Sequence, residues 1–447
     1  MFGSSLHGVA MSQAAEAAAR TGERIEDLYR RIRKFTEDLC APLKTEDFVI
    51  QTMPDVSPTK WHLAHTSWFF ETFVLMPAVP NYRRFEEQYG YLFNSYYHAA
   101  GERHPQPQRG LLSRPTVDEI FDYRHHVDRG VITFLEQTSD AELSKMRFAV
   151  ELGLNHEEQH QELLLTDIKH VLGTNPLDPV YRPAIQSRPG SVARRGWVGF
   201  DGGVVECGYR GSGFAFDNEL SRHRVYLEPF ELANQPVSCG EYLQFIEDRG
   251  YERPELWLSD GWDARQCQGW RAPLYWKQTE GDWSLMTLSG RRQLDPGEPV
   301  CHVSYYEADA FARWAGARLP REEEWELAAA GQVIRGNFVE SGRLHPSTVY
   351  SSAPEGPRQM FGDTWEWTMS PYLPYPGYVP FGGSFGEYNG KFMSNRMVLR
   401  GGSCVTSIRH IRPTYRNFFP PDARWQFSGI RLARFRNVPS AIPRTDH

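Results

Sequence analysis

Residues Ala141–Gly173 read AELSKMRFAVELGLNHEEQHQELLLTDIKHVLG. The stretch holds no proline and stops at a glycine, which predicts one long helix from about Ala141 to Leu172. Within it His156 and His160 stand four apart, so their imidazoles share a helix face one turn apart. Two histidines so placed can bind one metal. A second pair, His62 and His65, lies in WHLAHTSW, Trp61–Trp68. Upstream, Ile25, Leu28, Ile32, Phe35 and Leu39 recur at three- and four-residue spacing, which predicts an amphipathic helix over 25–39. Ser57-Pro58 predicts an N-cap followed by proline in the first turn. The helix it opens runs from Thr59 to Met76, ahead of Pro77. A third helix is predicted from Thr116 to about Gln137. Four long helices, with a longer aromatic-rich connection between the second and third, point to a four-helix bundle. In such a bundle inward residues of two helices can converge on one metal.

The grammar changes after this stretch. Pro176, Pro179, Pro183 and Pro189 punctuate a connection, and from Trp197 onward the chain is rich in Gly, Pro, Trp and short β-prone runs. The helices that stand out there are 239–249, 305–315 and a further piece at 321–330. The expected organisation is a helical bundle over 1–174, a linker over 175–196 and a second domain over 197–447. The expected class is α+β, multidomain.

Composition narrows the function. The 447 residues carry 49 Lys+Arg against 56 Asp+Glu, a net charge of −7, which argues against a nucleic-acid binder with a broad cationic surface. No run approaches the roughly 18 apolar residues of a membrane span. Met1 to Arg20 shows neither a basic cluster nor an apolar core of a secretory signal. The six cysteines are scattered without a CxxC pair, so neither a disulfide framework nor a zinc ribbon is expected. The cytoplasm is the expected compartment, small molecules are the expected partners, and a homo-oligomer is left open.

The string His156-Glu157-Glu158-Gln159-His160 also matches HExxH, the zinc-peptidase pattern, with Glu157 as would-be base. The longer metzincin form would need glycine at 163, where this chain has Leu163. A zinc-dependent hydrolase using His156, Glu157 and His160 therefore stands as one alternative, and a non-catalytic binding module on a metal-stabilised bundle as another.

Several motifs carry a family resemblance. PVCHVSYYEADAFARWAGARLPREEEWELAA (Pro299–Ala329), GDTWEWT (Gly362–Thr368), RGGS (Arg400–Ser403) and SGIRLA (Ser428–Ala433) resemble the signatures of the formylglycine-generating-enzyme family. That resemblance implies its C-type-lectin-like fold. It does not imply formylglycine generation, which needs a thiol pair near the C-terminal core, where the sequence puts only Cys404. Leu63-Ala64-His65 together with His156 and His160 resembles the three-histidine pattern of DinB-like bundles. The two halves together are similar to the ergothioneine-biosynthetic sulfoxide synthases, the EgtB family. The resemblance implies a mononuclear non-haem Fe(II) on His65, His156 and His160. It also implies oxygen-dependent joining of a thiol to the imidazole C2 of hercynine, with the sulfur oxidised to a sulfoxide. His65 is favoured over His62 because it takes the Leu-Ala-His position.

The resemblance extends to the substrates. Gln159 is implied to contact the hercynine imidazole. The oxygen step needs a proton donor, and a tyrosine OH can supply it. Asn94-Ser95-Tyr96-Tyr97-His98 offers Tyr96 and Tyr97, which are favoured, while Tyr372 and Tyr375 are the other set. Carboxylates call for arginine, and Arg103 and Arg109 lie in the connection where the family keeps its thiol-substrate arginines. Arg416-Asn417-Phe418-Phe419 matches the segment that holds hercynine, with Asn417 toward the carboxylate and Phe418 toward the quaternary ammonium. Where some relatives carry an aspartate for the amino group of γ-glutamylcysteine, this chain has Phe419, which favours free cysteine.

Overall fold

The computed structural model describes residues 23–185, 195–348 and 356–436. The Ala-rich run Ala14–Ala19, which reads as the start of a helix, and Pro189 lie outside them. The N-terminal half is a helical bundle of α1 (Ile25–Cys40), α2 (Thr59–Phe70), α3 (Val117–Gln137) and α4 (Asp140–Gly173). Two of these begin with reciprocal capping boxes. Thr116 accepts from the Glu119 amide while the Glu119 carboxylate accepts from that of Thr116, and Ser139 and Glu142 do the same for α4. All twelve residues of α2 are buried, so it is the inner helix and shows no polar stripe.

Two local expectations fail. Ser57 does not cap α2. The cap position is Pro58, without a side-chain bond. Ser57 instead donates its N–H to Asp167 Oδ2 (2.8 Å) and accepts from Arg109 Nη1 at its Oγ (2.9 Å). Nor does α2 run unbroken to Met76, because past Phe70 a π-helical turn, Glu71–Leu75, leads into a short helix, Met76–Ala78. The turn keeps Glu71 buried, where its carboxylate accepts from the hydroxyls of Tyr82 (3.0 Å) and Tyr123 (2.7 Å).

The second half is mostly β and irregular, making the chain an α+β multidomain protein. β1 (Trp197–Phe200), β4 (Phe230–Ala233) and β12 (Ala433–Phe435) form one sheet in the order β1-β4-β12, so the C-terminal strand closes back on the domain's start. β2 (Gly203–Cys207) pairs with β3 (His223–Leu227), and β5 (Trp276–Thr279), β6 (Asp282–Thr287) and β7 (Gly290–Gln293) form a meander. The central sheet runs β10-β9-β8-β11, from β8 (Trp365–Pro371), β9 (Met397–Arg400), β10 (Asn417–Phe419) and β11 (Ser428–Gly429). Helices α5 (Cys239–Glu247), α7 (Tyr305–Trp314) and α8 (Glu322–Ala329) match expectation to within a turn. The sequence reading misses α6 (Ser259–Gln268), whose SDGWDARQCQ has no apolar stripe and buries only Gly261.

The motif tryptophans are scaffold. Trp325 donates to Glu366 (2.6 Å) and Trp367 to the Val303 carbonyl (2.9 Å). Gly401 sits at φ +101°, where a Cβ would lie 2.6 Å from the Met360 carbonyl; only glycine fits there. Trp365 reaches across to the bundle and donates to Glu162 of α4. Along α4, Glu158 takes Arg409 and Ser407, Glu162 takes Thr406 (2.7 Å), and Lys169 meets His302 (2.7 Å). One long helix therefore serves both as a wall of the bundle and as the platform for the second domain. Among the described residues no helix is long and apolar enough to cross a membrane.

Candidate active site

Where α2 and α4 face each other, His65, His156 and His160 converge, all of them buried. One ligand atom from each lies within 4.8 Å of the others, and among the described residues no other group of three His, Cys, Asp or Glu side chains does this. His65 donates Nδ1–H to the Phe93 carbonyl (2.6 Å), which leaves its Nε2 a lone pair, 3.2 Å from His156 Nε2. His156 Nδ1 is buried without a partner. Burial pushes the His156 pKa down to about 3, and burial with the neighbouring imidazoles pushes those of His65 and His160 well below the usual range. Three neutral imidazoles this close suit a metal ion. Metal–nitrogen bonds of about 2.0–2.1 Å place adjacent ligand atoms about 3 Å apart, a spacing the His65 and His156 Nε2 atoms already have at 3.2 Å; a set of three buried neutral imidazoles fits a metal.

His62 stands beside this cluster rather than in it. Its Nδ1 is 2.9 Å from His160 Nδ1 and its Nε2 3.0 Å from Asp167 Oδ2. Glu157, between the two α4 histidines in sequence, turns away from them. Its carboxylate is enclosed by Arg33 (2.9 Å), Arg124 (2.7 Å) and Thr36 (2.6 Å). Burial alone would raise its pKa, but Arg124 and Arg33 hold it down at about 2. A carboxylate so neutralised and so placed is no general base for a metal-bound water.

The cluster opens into a cavity of about 600 Å³ between the two domains. Gln159, Tyr96, Tyr97, Arg103, Arg109, Asn417 and Phe418 all line it. Gln159 donates to the Tyr415 hydroxyl (2.6 Å) and accepts from that of Tyr388. Asn94 holds the tyrosine loop by donating to the Tyr97 and Gly101 carbonyls (both 3.0 Å). The loop packs the Tyr97 ring among Trp68, Phe69 and Phe73, with its OH buried and unpartnered. Tyr96 donates to Gln106 (3.1 Å) and its ring lies 5.5 Å from the Arg103 guanidinium.

Arg109 is 3% exposed and stacks 3.4 Å over Trp61, whose other neighbour in the stack is His65 (4.5 Å, 12° between planes). Among the described residues neither Arg103 nor Arg109 forms an ion pair with a carboxylate; Arg109 bonds to Ser57 and Ser95 hydroxyls. Burial pushes the Arg109 pKa down to about 10, so it stays a cation at neutral pH. Asn417 accepts from the Phe418 amide (2.8 Å), and Phe418 stacks on Tyr372 (4.1 Å, 11°). Tyr372 and Tyr375 belong to the scaffold behind the cavity, bonded to Asn218 (2.9 Å) and Arg400 (2.9 Å) respectively.

Sequence reasoning missed Tyr388, Tyr415, Asp167 and Arg396 as cavity-lining residues. Tyr415 directly precedes the Arg416–Phe419 segment and could have been read with it. Tyr388, whose ring lies 5.7 Å from that of His156, sits in an irregular stretch without periodicity. The fold also brings Cys301 into electrostatic range of Cys404, a neighbour the sequence did not place there. Burial, and to a smaller degree Cys301, raises the Cys404 thiol well above its ordinary pKa. Neither thiol is thereby activated.

A bundle carrying a histidine cluster, closed by a mostly β domain over a shared cavity, defines a two-domain class. Residues 25–164 match the DinB superfamily, and residues 185–436 match the sulfatase-modifying factor enzyme 1-like domain. The chain is 32% identical over 410 residues to the hercynine oxygenase of Mycolicibacterium smegmatis, covering 86% of this chain and 92% of that one. It is 30% identical over 459 residues to the hercynine oxygenase of Mycolicibacterium thermoresistibile, covering 95% and 96%. The formylglycine-generating enzyme of Streptomyces coelicolor is 30% identical over 319 residues, covering 58% of this chain and 96% of that enzyme. The chain belongs to the hercynine oxygenase (EgtB) family and is an oxygenase of its sulfoxide-synthase type.

Proposed function

We propose that this enzyme joins cysteine to the imidazole C2 of hercynine at an Fe(II) held by His65, His156 and His160. The overall change is RSH + imidazole C–H + O₂ → imidazole–S(O)–R + H₂O. One C–S bond forms, sulfur gains one oxygen, and the second oxygen leaves as water. Fe(II) on three neutral imidazoles would supply open positions for thiolate and O₂ and the electrons to activate them. The observation that carries this reading is the convergence of the three imidazoles on a cavity that also holds Arg109, a buried cation with no carboxylate partner among the described residues.

The chain's own residues supply binding and proton control. Arg109 takes the thiol substrate's carboxylate, with Arg103 beside it at the Tyr96 ring. A buried guanidinium meeting a carboxylate makes a strong charge-assisted bond. Asn417 and Phe418 hold hercynine from the second domain, Phe418 offering its ring to the trimethylammonium. Gln159, steadied by Tyr388 and Tyr415, sits where it can bond an imidazole nitrogen. The Tyr97 hydroxyl, without a partner among the described residues, is the proton donor for the oxygen step, with Tyr96 next to it. Phe419, also lining the cavity, offers no charge to a γ-glutamyl amino group, which favours free cysteine. The free, unpaired cysteines accord with a reducing cytoplasm.

The test combines metal analysis of the purified enzyme with oxygen uptake on hercynine plus cysteine or γ-glutamylcysteine. Fe(II)-dependent uptake with sulfoxide product, faster with cysteine, is expected. Zinc-dependent hydrolysis without oxygen uptake would sink the reading.

A further inference from the structure

His62 and Asp167 form a hydrogen-bonded relay that ends on one member of the histidine cluster, and the reading above gives neither of them a role. Asp167 Oδ2 receives the Ser57 N–H (2.8 Å) and lies 3.0 Å from His62 Nε2, and His62 Nδ1 lies 2.9 Å from His160 Nδ1. All three side chains in the relay are at least nine-tenths buried. A carboxylate facing an amide N–H and an imidazole can only accept, so His62 carries its proton on Nε2. A neutral His62 then presents a lone pair at Nδ1. The 2.9 Å contact is a hydrogen bond only if His160 donates its own Nδ1–H. That leaves Nε2 as the one lone pair His160 has for the cluster.

We propose that Asp167 and His62 are positioning residues: they fix the Nε2 tautomer and the ring orientation of His160, and so set how tightly the cluster holds its metal. The logic is that of a carboxylate–histidine pair behind a metal ligand, here lengthened by one imidazole. Helices α2 and α4 are tied together by it, since His62 lies on α2 and His160 and Asp167 on α4. Its outer end meets the substrate side. Ser57, which donates to Asp167 through its amide, accepts from Arg109 through its hydroxyl. The relay thus connects a metal ligand to the guanidinium proposed to take the thiol's carboxylate. This inference rests on His160 being a ligand, and the experiment separates the two claims.

The full-length chain is prepared as wild type, His62→Phe and Asp167→Asn. His62→Phe keeps a ring of similar volume and removes both nitrogens. Asp167→Asn keeps the shape and removes the charge. Nitrogen-15 histidine spectra of the metal-free protein report the His160 tautomer, and Co(II), used as a probe, reports affinity by competition and ligand set by its visible spectrum. Expected are an Nδ1–H tautomer for His160 in the wild type, its loss or mixing in His62→Phe, and Co(II) affinity lower by about 10- to 100-fold in both variants. The Co(II) spectrum should keep the same ligand type, because His62 is not itself a ligand. Unchanged affinity in both variants, or an Nε2–H tautomer for His160 in the wild type, overturns the proposal. Should His62→Phe not fold, Asp167→Asn alone decides it by the same affinity criterion. Failure of the wild type to bind Co(II) or Fe(II) would count against the metal reading, with the tautomer result still deciding the relay.

Discussion

Replacing Glu157 by glutamine separates stability from chemistry at this site. The carboxylate lies between Arg33 and Arg124, and all three side chains are at most 3% exposed. Its pKa falls from 4.5 to about 2 because these two cations outweigh the cost of burial. A shift of that size corresponds to about 3 kcal/mol of folding free energy. Removing one member of a buried ionic group typically costs about 3–5 kcal/mol, so both routes agree. The folded pKa is depressed, so the contribution is fully present above pH 4.5 and is lost as pH falls through about 2. Glu157→Gln should therefore lower stability by about 3 kcal/mol at pH 7. The gap to wild type should stay constant down to about pH 5 and close towards pH 2. Urea unfolding followed by tryptophan fluorescence across this range measures it. Oxygen uptake on the folded variant should remain within about threefold of wild type, since this side chain contributes no proton transfer to the reaction. Equal stability of the two proteins would refute the ionic argument. A loss of activity of several orders of magnitude, with fold and metal intact, would restore Glu157 as a catalytic base.

Three further outcomes are expected. Tyr97→Phe removes an unpartnered buried hydroxyl, so folding stability should hold. Sulfoxide formation should slow at least tenfold, about 1.4 kcal/mol of barrier, with product shifting towards cysteine sulfinate; Tyr96→Phe is compared with it, and Tyr372→Phe and Tyr375→Phe serve as scaffold controls in the same product analysis. Arg109→Met should raise KM for the thiol about 10- to 100-fold, the loss of a charge-assisted bond worth about 1.5–3 kcal/mol, while metal content stays unchanged. Burial raises the Glu162 pKa to about 7, so the stability tied to its protonated form is fully present below pH 4.5 and lost as pH rises through about 7. Glu162→Gln mimics that neutral form, and it should match wild type near pH 4.5 yet exceed it by about 3 kcal/mol at pH 8, read from urea midpoints at the two pH values.

Local patterns were enough for much of this protein. Periodic apolar residues and the closing glycine set α1, α3 and α4 to within a residue, because helix formation is decided over a few neighbouring positions, whereas α2 ends six residues short of the expected Met76. The four-residue spacing of His156 and His160 put them on one face for the same reason. Motif strings marked the second domain, although α6 escaped because a nearly exposed helix leaves no apolar stripe to read. The site itself needed the tertiary structure. Whether His62 or His65 joins the α4 pair depends on how α2 is rotated against α4, which packing of a helix buried on every side decides. Glu157 and Gln159 flank the same histidines in sequence, yet one points into an arginine pair and the other into the cavity. That follows from the roughly 100° turn between successive helix residues and from which domain covers each face. Tyr388 and Tyr415 reach the cavity only because the second domain docks along α4, joining residues more than two hundred positions apart. Such contacts arise from burial and hydrogen bonding between surfaces that no local stretch of chain describes.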